Sequence, residues 1–329
     1  DVVSKGELMM ALKAGVSPKK IVFSGVGKTS EEISFAVEKK ILLINAESES
    51  EIREINRIAK IKKRKVKIGI RLNPNTDAKT LSQISTGKKE NKFGVNEKTF
   101  LKLVNFCKSS KNIDLKCLSV HIGSQILNYK PYEKMLKVVD RIIHKINHKF
   151  EFVDLGGGMG ISYTYKDKKL NFRKYSEIIK KFLKKHKSKI IFEPGRSIIG
   201  DTGTLISKII YIKKNDSKNF IILDAAMNDL MRPALYGAHH QILPSTKSKR
   251  KSNKTYEFVG PICESTDKFN TLKNFQELKE KDLITICDVG AYGMSLSSNY
   301  NVRLKPPEIL IKGSKIKVIR KKQKYKDLM

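Results

Sequence analysis

Ile190-Ile191-Phe192-Glu193-Pro194-Gly195-Arg196-Ser197 is the stretch that indicates the fold most directly, because an apolar run of strand type is stopped there by a proline and a glycine. The sequence therefore places a carboxylate and a guanidinium together at the end of a predicted strand. In barrels and doubly wound sheets, binding and catalytic groups usually lie at that end of a parallel strand. The stretch indicates either a clamp for a ligand with a basic ring nitrogen and a phosphate, or a surface turn with an ion pair.

Around this stretch, short apolar runs alternate with helical patterns over the first two hundred residues. Strands are predicted at 1–3, 21–24, 41–45, 66–72, 117–122, 152–155 and 190–192, and helices at 5–14, 30–39, 48–61, 98–109, 132–147 and 172–186. Such alternation favours a parallel sheet with helices outside it. We therefore expect residues 1–200 to form an incomplete TIM-type (β/α)8 barrel, with one or more βα units absent from its N-terminal end.

The pattern changes after Gly200, where β-type runs are separated by turns and polar loops with little helix. These runs cover 204–213, 220–224, 256–259, 282–289 and 309–320. They predict a mostly antiparallel β-domain over 201–329, with the domain boundary near Asp201. A chain of 329 residues is long enough for two cores, since single cores rarely grow beyond about 250–300 residues.

The composition narrows the class of protein. A formal net charge of +34 is compatible with nucleic-acid binding, but the lysines are spread along the chain and the densest basic cluster, at 247–251, has no aromatic interleaving. A solvated basic surface is therefore favoured over nucleic-acid binding. No apolar run approaches the roughly 18 residues that a membrane span needs. The cysteines lack paired spacing and predict reduced thiols in a cytoplasmic protein; they are Cys107, Cys117, Cys263 and Cys287.

Two further motifs follow predicted strands of the first domain. Asp154-Leu155-Gly156-Gly157-Gly158-Met159-Gly160 can bring backbone N–H groups close to a phosphate, although a glycine run is also the ordinary composition of a turn. Its spacing matches neither a dinucleotide motif nor a Walker motif. His121-Ile122-Gly123-Ser124-Gln125 provides an imidazole that can stack on a flat ring and a hydroxyl that can reach an anion. A structural histidine is the alternative interpretation.

The second domain carries three groups of polar side chains near turns. Arg232 and Tyr236 could clamp a carboxylate, or could belong to a surface helix turn. Cys263-Glu264 provides a thiol that can donate a proton and a carboxylate that can bind an amine; the alternative is a buried thiol beside an exposed acid. Gly290-Ala291-Tyr292-Gly293 presents a phenol between glycines. His239-His240 has no partners at metal spacing, so we expect no metal.

In their joint order, these motifs resemble the diaminopimelate decarboxylases, which belong to the alanine-racemase-like (fold type III) group of pyridoxal-phosphate enzymes. The resemblance runs from Asp1 to Asp327-Leu328. Each motif alone is weak, but their order along the chain is specific. The motifs that carry the resemblance are His121-Ile-Gly-Ser124, Gly156 to Gly158, Glu193-Pro-Gly-Arg196, Arg232-Pro-Ala-Leu-Tyr236, Cys263-Glu264 and Ala291-Tyr292-Gly293, with 24–29, 85–87 and 91–94.

The resemblance implies pyridoxal 5'-phosphate as the cofactor. Glu193 would face the pyridine nitrogen and keep it protonated, which makes the ring an electron sink. His121 would stack on the ring. The phosphate would be held by Ser124, by the loop of Gly156, Gly157 and Gly158, and by the turn of Glu193, Pro194, Gly195 and Arg196.

The resemblance also implies the substrate, meso-diaminopimelate, which is decarboxylated to L-lysine and CO2 in lysine biosynthesis. Cys263 would protonate the α-carbon, Glu264 would bind the distal amine, and Tyr292 would contact both cofactor and substrate. In the family the Cys263-Glu264 loop serves the neighbouring subunit, so a homodimer with shared active sites is implied. The distal carboxylate would be bound by Arg196, Arg232 and Tyr236.

One departure from the family concerns the lysine that carries the cofactor. In the family it lies upstream of the segment that Asp1 to Leu8 resembles, and Lys5 stands where a glycine is usual. The chain as given is therefore expected to be inactive or nearly so on its own. Two alternatives stay open. One is a decarboxylase of ornithine, arginine or a carboxylated polyamine, which tends to have an aspartate where this chain has Glu264; the other is a non-catalytic relative.

Overall fold

The structure, a computed structural model, describes residues 1–78, 86–87, 90–164, 169–216, 218–246, 250 and 252–329. The chain divides into two compact units, Asp1–Gly160 with Lys169–Pro194 and Ile161–Lys168 with Gly195–Met329. The predicted domain boundary near Asp201 stays a prediction. The basic cluster at 247–251, except for Arg250, and Ser85 of the family resemblance lie outside the described residues.

Six parallel strands form the sheet of the first unit and lie in it in sequence order. The strands are β1 (Val22–Phe23), β2 (Leu43–Ala46), β3 (Val66–Arg71), β4 (Ile113–Ser119), β5 (Phe152–Asp154) and β6 (Lys189–Ile191). The helices are α1 (Lys5–Lys13), α2 (Ser30–Lys39), α3 (Glu49–Ile61), α4 (Glu97–Ser109), α5 (Lys130–Lys145) and α6 (Phe172–Lys185). The curled sheet and its helices form a half-barrel, so the prediction of an incomplete TIM-type barrel is confirmed.

Local sequence explains why these elements form. Thr29 and Glu32 make a reciprocal capping box that starts α2 and satisfies two N–H groups at the helix end. Ile52 and Ile55 stand three residues apart on α3 and are fully buried, as is Ile68 of β3 in the same core. Burial of each of these isoleucine side chains contributes roughly 1.5–3 kcal/mol to the stability of the fold. The helices therefore cover the sheet with their apolar faces and leave the carboxyl ends of the strands to polar side chains.

Two predicted strands of the first unit need correction. Residues 1–3 pair with the sheet only through a single bridge between Val2 and Phe23, because Ser4 caps α1 immediately afterwards. The strand predicted at 117–122 is β4, which begins at Ile113 and ends at Ser119. The prediction followed the continuous apolar run, whereas the first half of β4 alternates buried with half-buried residues.

The second unit contains a six-stranded sheet in the order β11-β10-β8-β7-β12-β9, in which only the β8–β10 pair is parallel, and a separate hairpin of β13 and β14. The strands are β7 (Leu205–Lys214), β8 (Lys218–Leu223), β9 (Ile242–Pro244), β10 (Thr255–Val259), β11 (Lys268–Leu272), β12 (Leu283–Ile286), β13 (Glu308–Lys312) and β14 (Lys315–Arg320). Two short helices are α7 (Arg196–Ile199) and α8 (Arg232–Tyr236). The prediction of a mostly antiparallel β-domain is confirmed.

The sequence pattern missed details of this second sheet. The run predicted at 309–320 is two strands, because Gly313 turns the chain in the left-handed region, with φ of +59°. β9 has only three residues, and in β11 only Phe269 is buried. Neither strand carries enough apolar residues to be recognised by periodicity.

Candidate active site

Polar side chains gather where the strands of the half-barrel end, and Asp154 lies at the centre of them. Asp154 is the last residue of β5 and is fully buried. Its carboxylate accepts hydrogen bonds from Asn45 Nδ2 at 2.8 Å, from Ser119 Oγ at 3.3 Å and from the Gly156 N–H at 3.0 Å. Strands β2, β4 and β5 thus fix one carboxylate in place.

Glu193 follows β6, and its carboxyl group interacts with that of Asp154. Burial, and then the charge of Asp154, raise the pKa of the Glu193 carboxyl to about 8. Its Oε1 atom is buried and has no hydrogen-bond partner among the described residues. A buried polar atom without a partner costs about 1–3 kcal/mol. The site therefore fits a ligand that places an N–H group, such as a protonated ring nitrogen, on Glu193 Oε1.

His121 lies two residues beyond the end of β4 and is half-buried. Its Nδ1 accepts a hydrogen bond from the Gly157 N–H at 3.1 Å, which assigns the ring proton to Nε2. Burial, and then the positive charge of Arg71, lower the pKa of the imidazole to about 3. The imidazole is therefore neutral at physiological pH, and its planar ring can stack on an aromatic ligand.

The glycine loop packs closely against this group. A Cβ atom at Gly157 would lie 2.0 Å from the Glu193 carbonyl oxygen, and one at Gly158 would lie 2.1 Å from that of Gly123. Asp154 accepts a hydrogen bond from the Gly156 N–H, and His121 accepts one from the Gly157 N–H. These two glycines therefore position Asp154 and His121. The predicted phosphate contacts of Ser124, Pro194 and the loop stay predictions.

In the second unit, α8 presents Arg232 in a buried position. Its Nη1 donates to Nε2 of His240 at 2.8 Å, and His240 Nδ1 donates to the Cys287 carbonyl at 2.8 Å. Burial is the main reason that the pKa of His240 falls to about 4, so the imidazole stays neutral. The guanidinium also lies 4.8 Å from the ring centre of Tyr163. His240 therefore orients Arg232 without neutralising it.

Arg232 is a buried cation whose neighbours are neutral or positive. Among the described residues, no carboxylate lies within ion-pair distance of it. Burial lowers the pKa of its guanidinium, and the nearby charge of Arg196 adds to this while Tyr163 opposes it. Buried charges are ordinarily paired. An incoming anion, above all a carboxylate that can accept two parallel N–H bonds, would satisfy this site.

Arg196 and Tyr292 belong to the same group of side chains. Arg196 is buried at the start of α7, and its Nη1 donates to the Tyr163 hydroxyl at 2.5 Å. Its guanidinium lies 4.8 Å from the ring centre of Tyr292. Tyr292 has φ of +63°, a left-handed conformation that is costly for a residue other than glycine and is often found at functional sites.

The predicted proton donor and amine ligand lie on an exposed loop. Cys263 and Glu264 are both exposed, so the alternative of a buried thiol does not apply. Glu264 Oε1 accepts a hydrogen bond from the Tyr300 hydroxyl at 2.6 Å. Asp267 fixes the loop by accepting from the N–H groups of Ile262 and Met227. Tyr236, the last residue of α8, is half-buried.

The structure thus brings His121, the glycine loop and Glu193 together in the first unit, and Arg196, Arg232 and Tyr292 around Tyr163 in the second. Sequence reasoning missed several residues that hold these groups. Of these, only Asp154 and His240 stood inside quoted motifs; for the others no local pattern gave a signal. The missed residues are Asn45, Arg71, Ser119, Asp154, Tyr163, His240, Asp267 and Tyr300.

A half-barrel followed by a mostly antiparallel sheet domain, with a buried carboxyl oxygen that lacks a partner in the described residues, fits one class of protein: enzymes of barrel-and-sheet architecture that use a pyridine-containing cofactor. Comparison with protein families agrees. The pyridoxal binding domain of pyridoxal-dependent decarboxylases matches residues 1–200, and their C-terminal sheet domain matches residues 133–290. The chain belongs to the family of pyridoxal-dependent decarboxylases.

Within this family, the chain is similar to diaminopimelate decarboxylases. It is 39% identical over 328 residues to that of Aquifex aeolicus, covering 99% of this chain and 78% of the relative. It is 43% identical over 332 residues to that of Helicobacter pylori, covering 100% and 82%. A crystal structure of the Helicobacter pylori diaminopimelate decarboxylase complexed with L-lysine matches with a TM-score of 0.92 and 44% identity, covering 100% of this chain and 82% of that one.

Pyridoxal phosphate is the cofactor of this family, and the unsatisfied Glu193 Oε1 fits its ring nitrogen. In the described part of the chain, no helix is both long and apolar enough to cross a bilayer.

Proposed function

We propose that the protein removes a carboxylate of meso-diaminopimelate as CO2 and releases L-lysine. The observation that carries this proposal is Arg232, a buried guanidinium with no carboxylate partner in the described residues. Meso-diaminopimelate brings a second carboxylate, distant from the reacting carbon, that fits such a cation. Ornithine, arginine and similar substrates bring none. The names of the similar proteins support the same choice.

The first unit would hold the cofactor. Glu193 Oε1 would accept a hydrogen bond from the ring nitrogen, and Asp154 would keep Glu193 in position. His121 would lie against the ring face. Pyridoxal phosphate, when bound, supplies an electron sink for the electron pair left on the α-carbon when CO2 departs. We assign the phosphate to Ser124, the glycine loop and the Glu193–Arg196 turn, as the family resemblance implies.

The second unit would hold the substrate. Arg232, oriented by His240, would bind the distal carboxylate together with Arg196 and Tyr236, and Glu264 would bind the distal amine. Tyr292 would contact both substrate and cofactor. The Cys263 thiol would then deliver its proton to the α-carbon. One carbon–carbon bond is then broken and one carbon–hydrogen bond is made, and the thiolate left on Cys263 would regain its proton from water.

The substrate assignment is tested on the full-length enzyme by measuring CO2 release and lysine formation. We expect kcat/KM for meso-diaminopimelate to exceed that for ornithine, arginine or a carboxylated polyamine by on the order of 10³-fold or more, because a buried cation left without an anion rejects substrates that lack one. Comparable or greater activity on any of the three would contradict the proposal. Pyridoxal-phosphate binding with no turnover of any of them would favour a non-catalytic relative.

We also propose a homodimer in which Cys263 and Glu264 serve the neighbouring subunit's site, since both side chains are exposed on their own subunit. In full-length enzyme, Glu193→Gln and Cys263→Ala would each be almost inactive. Mixing and re-equilibrating the two variants should restore about a quarter of the wild-type activity, because half of the dimers are mixed and each has one intact site. No recovery, with exchange of subunits demonstrated, would place Cys263 in its own subunit's site.

We propose a cytoplasmic location because of the state of the cysteines. Cys107, Cys117, Cys263 and Cys287 are all free, as is usual in a reducing compartment.

A further inference from the structure

Away from the candidate active site, α5 and α6 bring one aspartate and two histidines together. Asp140 and His144 lie on α5, and His186 directly follows α6. Asp140 Oδ1 is 2.6 Å from His186 Nε2 and 3.4 Å from His144 Nδ1. One ligand atom from each of the three side chains lies within 4.8 Å of the others. None of these residues belongs to the motifs that indicated the decarboxylase.

The local structure holds these side chains in place. Asp140 and His144 are four residues apart, so both project from the same face of α5. The His186 ring packs against Phe182, with ring centres 4.5 Å apart, and its side chain is only 9% exposed. The His144 ring meets the edge of the His186 ring, with centres 5.5 Å apart. Metal binding would draw the three donor atoms together, and His144 Nδ1 would exchange its hydrogen bond to the Asp140 backbone carbonyl for a bond to the ion.

An ordinary ion pair accounts for only part of this cluster. Lys185 already pairs with Asp140 through Oδ2, at 2.8 Å. His186 Nε2 lies 2.6 Å from the other oxygen, Oδ1, whereas His144 Nδ1 lies 3.4 Å from Oδ1 and donates to the Asp140 backbone carbonyl at 2.7 Å. Two imidazoles and a carboxylate oxygen whose ligand atoms lie within 4.8 Å of one another also form a donor set for a metal ion.

We propose that Asp140, His144 and His186 bind a divalent transition-metal ion of the Zn²⁺ class, with water completing the coordination. Imidazole ligands favour Zn²⁺, Ni²⁺ and Cu²⁺, whereas Mg²⁺ and Ca²⁺ favour oxygen-only sites. The ion would fasten the last turn of α5 to the end of α6. This proposal departs from our sequence-based expectation of no metal, which considered only His239-His240 and could not foresee that α5 and α6 meet here.

The test titrates the full chain, stripped with a chelator, with Co²⁺ and Zn²⁺. We expect stoichiometric binding that produces the visible spectrum of four- or five-coordinate Co²⁺ without a thiolate charge-transfer band, and a higher Tm with Zn²⁺ but not with Mg²⁺. The variant His144→Ala changes a side chain that is 65% exposed, so its metal-free Tm should match wild type. Its metal affinity should fall on the order of tenfold or more, since even outer-shell changes cost that much.

His239→Ala is the matched control, because it removes an exposed histidine of the second unit, and it should bind as wild type does. A second variant, His186→Gln, keeps a polar group beside Asp140 and should also lose the metal. The proposal is overturned if wild type shows no Zn²⁺-dependent shift. It is equally overturned if binding is unchanged in both cluster variants, or is lost on replacing the exposed Cys263 with serine, which would assign the metal to the thiol.

Discussion

The variant Glu193→Gln is expected to lower kcat of the full-length enzyme by on the order of 10²–10³-fold, a typical cost of removing one preorganised electrostatic partner. Glutamine keeps the size of the side chain and has an amide N–H that can donate to Asp154. It removes the negative charge that would stabilise a protonated ring nitrogen on Oε1. The measurement is steady-state decarboxylation of meso-diaminopimelate, with pyridoxal-phosphate binding followed by absorbance. Retention of full kcat would remove Glu193 from its proposed role.

The same variant should change how stability depends on pH. The pKa of Glu193 is about 8 in the folded chain against an ordinary 4.5, so between these values the folded chain holds a proton that the unfolded chain has lost. Its contribution to stability is therefore complete below pH 4.5 and is lost as the pH rises through about 8. Glutamine cannot lose that proton. At pH 8 to 9 the cofactor-free variant should be more stable than wild type, by on the order of 1–3 kcal/mol.

Urea denaturation of the cofactor-free protein at pH 5, 7 and 9 measures this difference. Glu257→Gln is the matched control, because the pKa of Glu257 is shifted in the opposite direction. Burial raises this pKa, but hydrogen bonds and charge from Lys218 and Lys268 outweigh burial and lower it. In wild type, the ionised Glu257 side chain stabilises the fold at neutral pH. This contribution is lost as the pH falls through the lowered pKa of the folded chain. If Glu193→Gln leaves the pH profile of stability parallel to that of wild type, the carboxyl pair of Asp154 and Glu193 does not share a proton.

The variant Arg232→Met is expected to raise KM for meso-diaminopimelate on the order of 10²–10³-fold, since loss of one partner of a buried charge pair costs about 2–5 kcal/mol. Turnover at saturation should change much less, because the distal carboxylate is bound alike before and during the reaction. Stability should change by no more than about 1 kcal/mol. Removing a buried cation is favourable, but His240 Nε2 loses its donor, and the two effects oppose each other.

Two comparisons make this result specific. Arg320→Met removes an arginine that pairs with Glu308 at 2.8 Å, and it should leave KM unchanged. A substrate analogue without the distal carboxylate should be processed no worse by Arg232→Met than by wild type, because the variant no longer buries a cation that the analogue leaves unpaired. A large loss of stability with an unchanged KM would show instead that Arg232 is structural and that the distal carboxylate binds elsewhere.

Much of the fold was predictable from local sequence. The alternation of strand and helix patterns indicated the half-barrel, and helix α2 was predicted at the bounds it has, Ser30–Lys39, because its cap and apolar spacing are local. The pattern failed where pairing is decided elsewhere in the chain. β11 has one buried side chain and exists because β10 provides its hydrogen-bond partners. The single run at 309–320 concealed a turn at Gly313.

For the candidate site, the sequence by itself determined which chemical groups follow the strands, Glu193 after β6 and His121 after β4, and it placed Arg232 beside a turn of the second domain. Only the tertiary structure decided which hydrogen-bond partners and which pKa values these groups have. Asn45 and Asp154 are 109 residues apart and meet in a hydrogen bond, and burial, followed by the charge of Asp154, raises the pKa of Glu193. The physical reason is that periodicity and turn chemistry act between neighbours along the chain, whereas burial and charge depend on atoms that distant segments bring within a few ångströms.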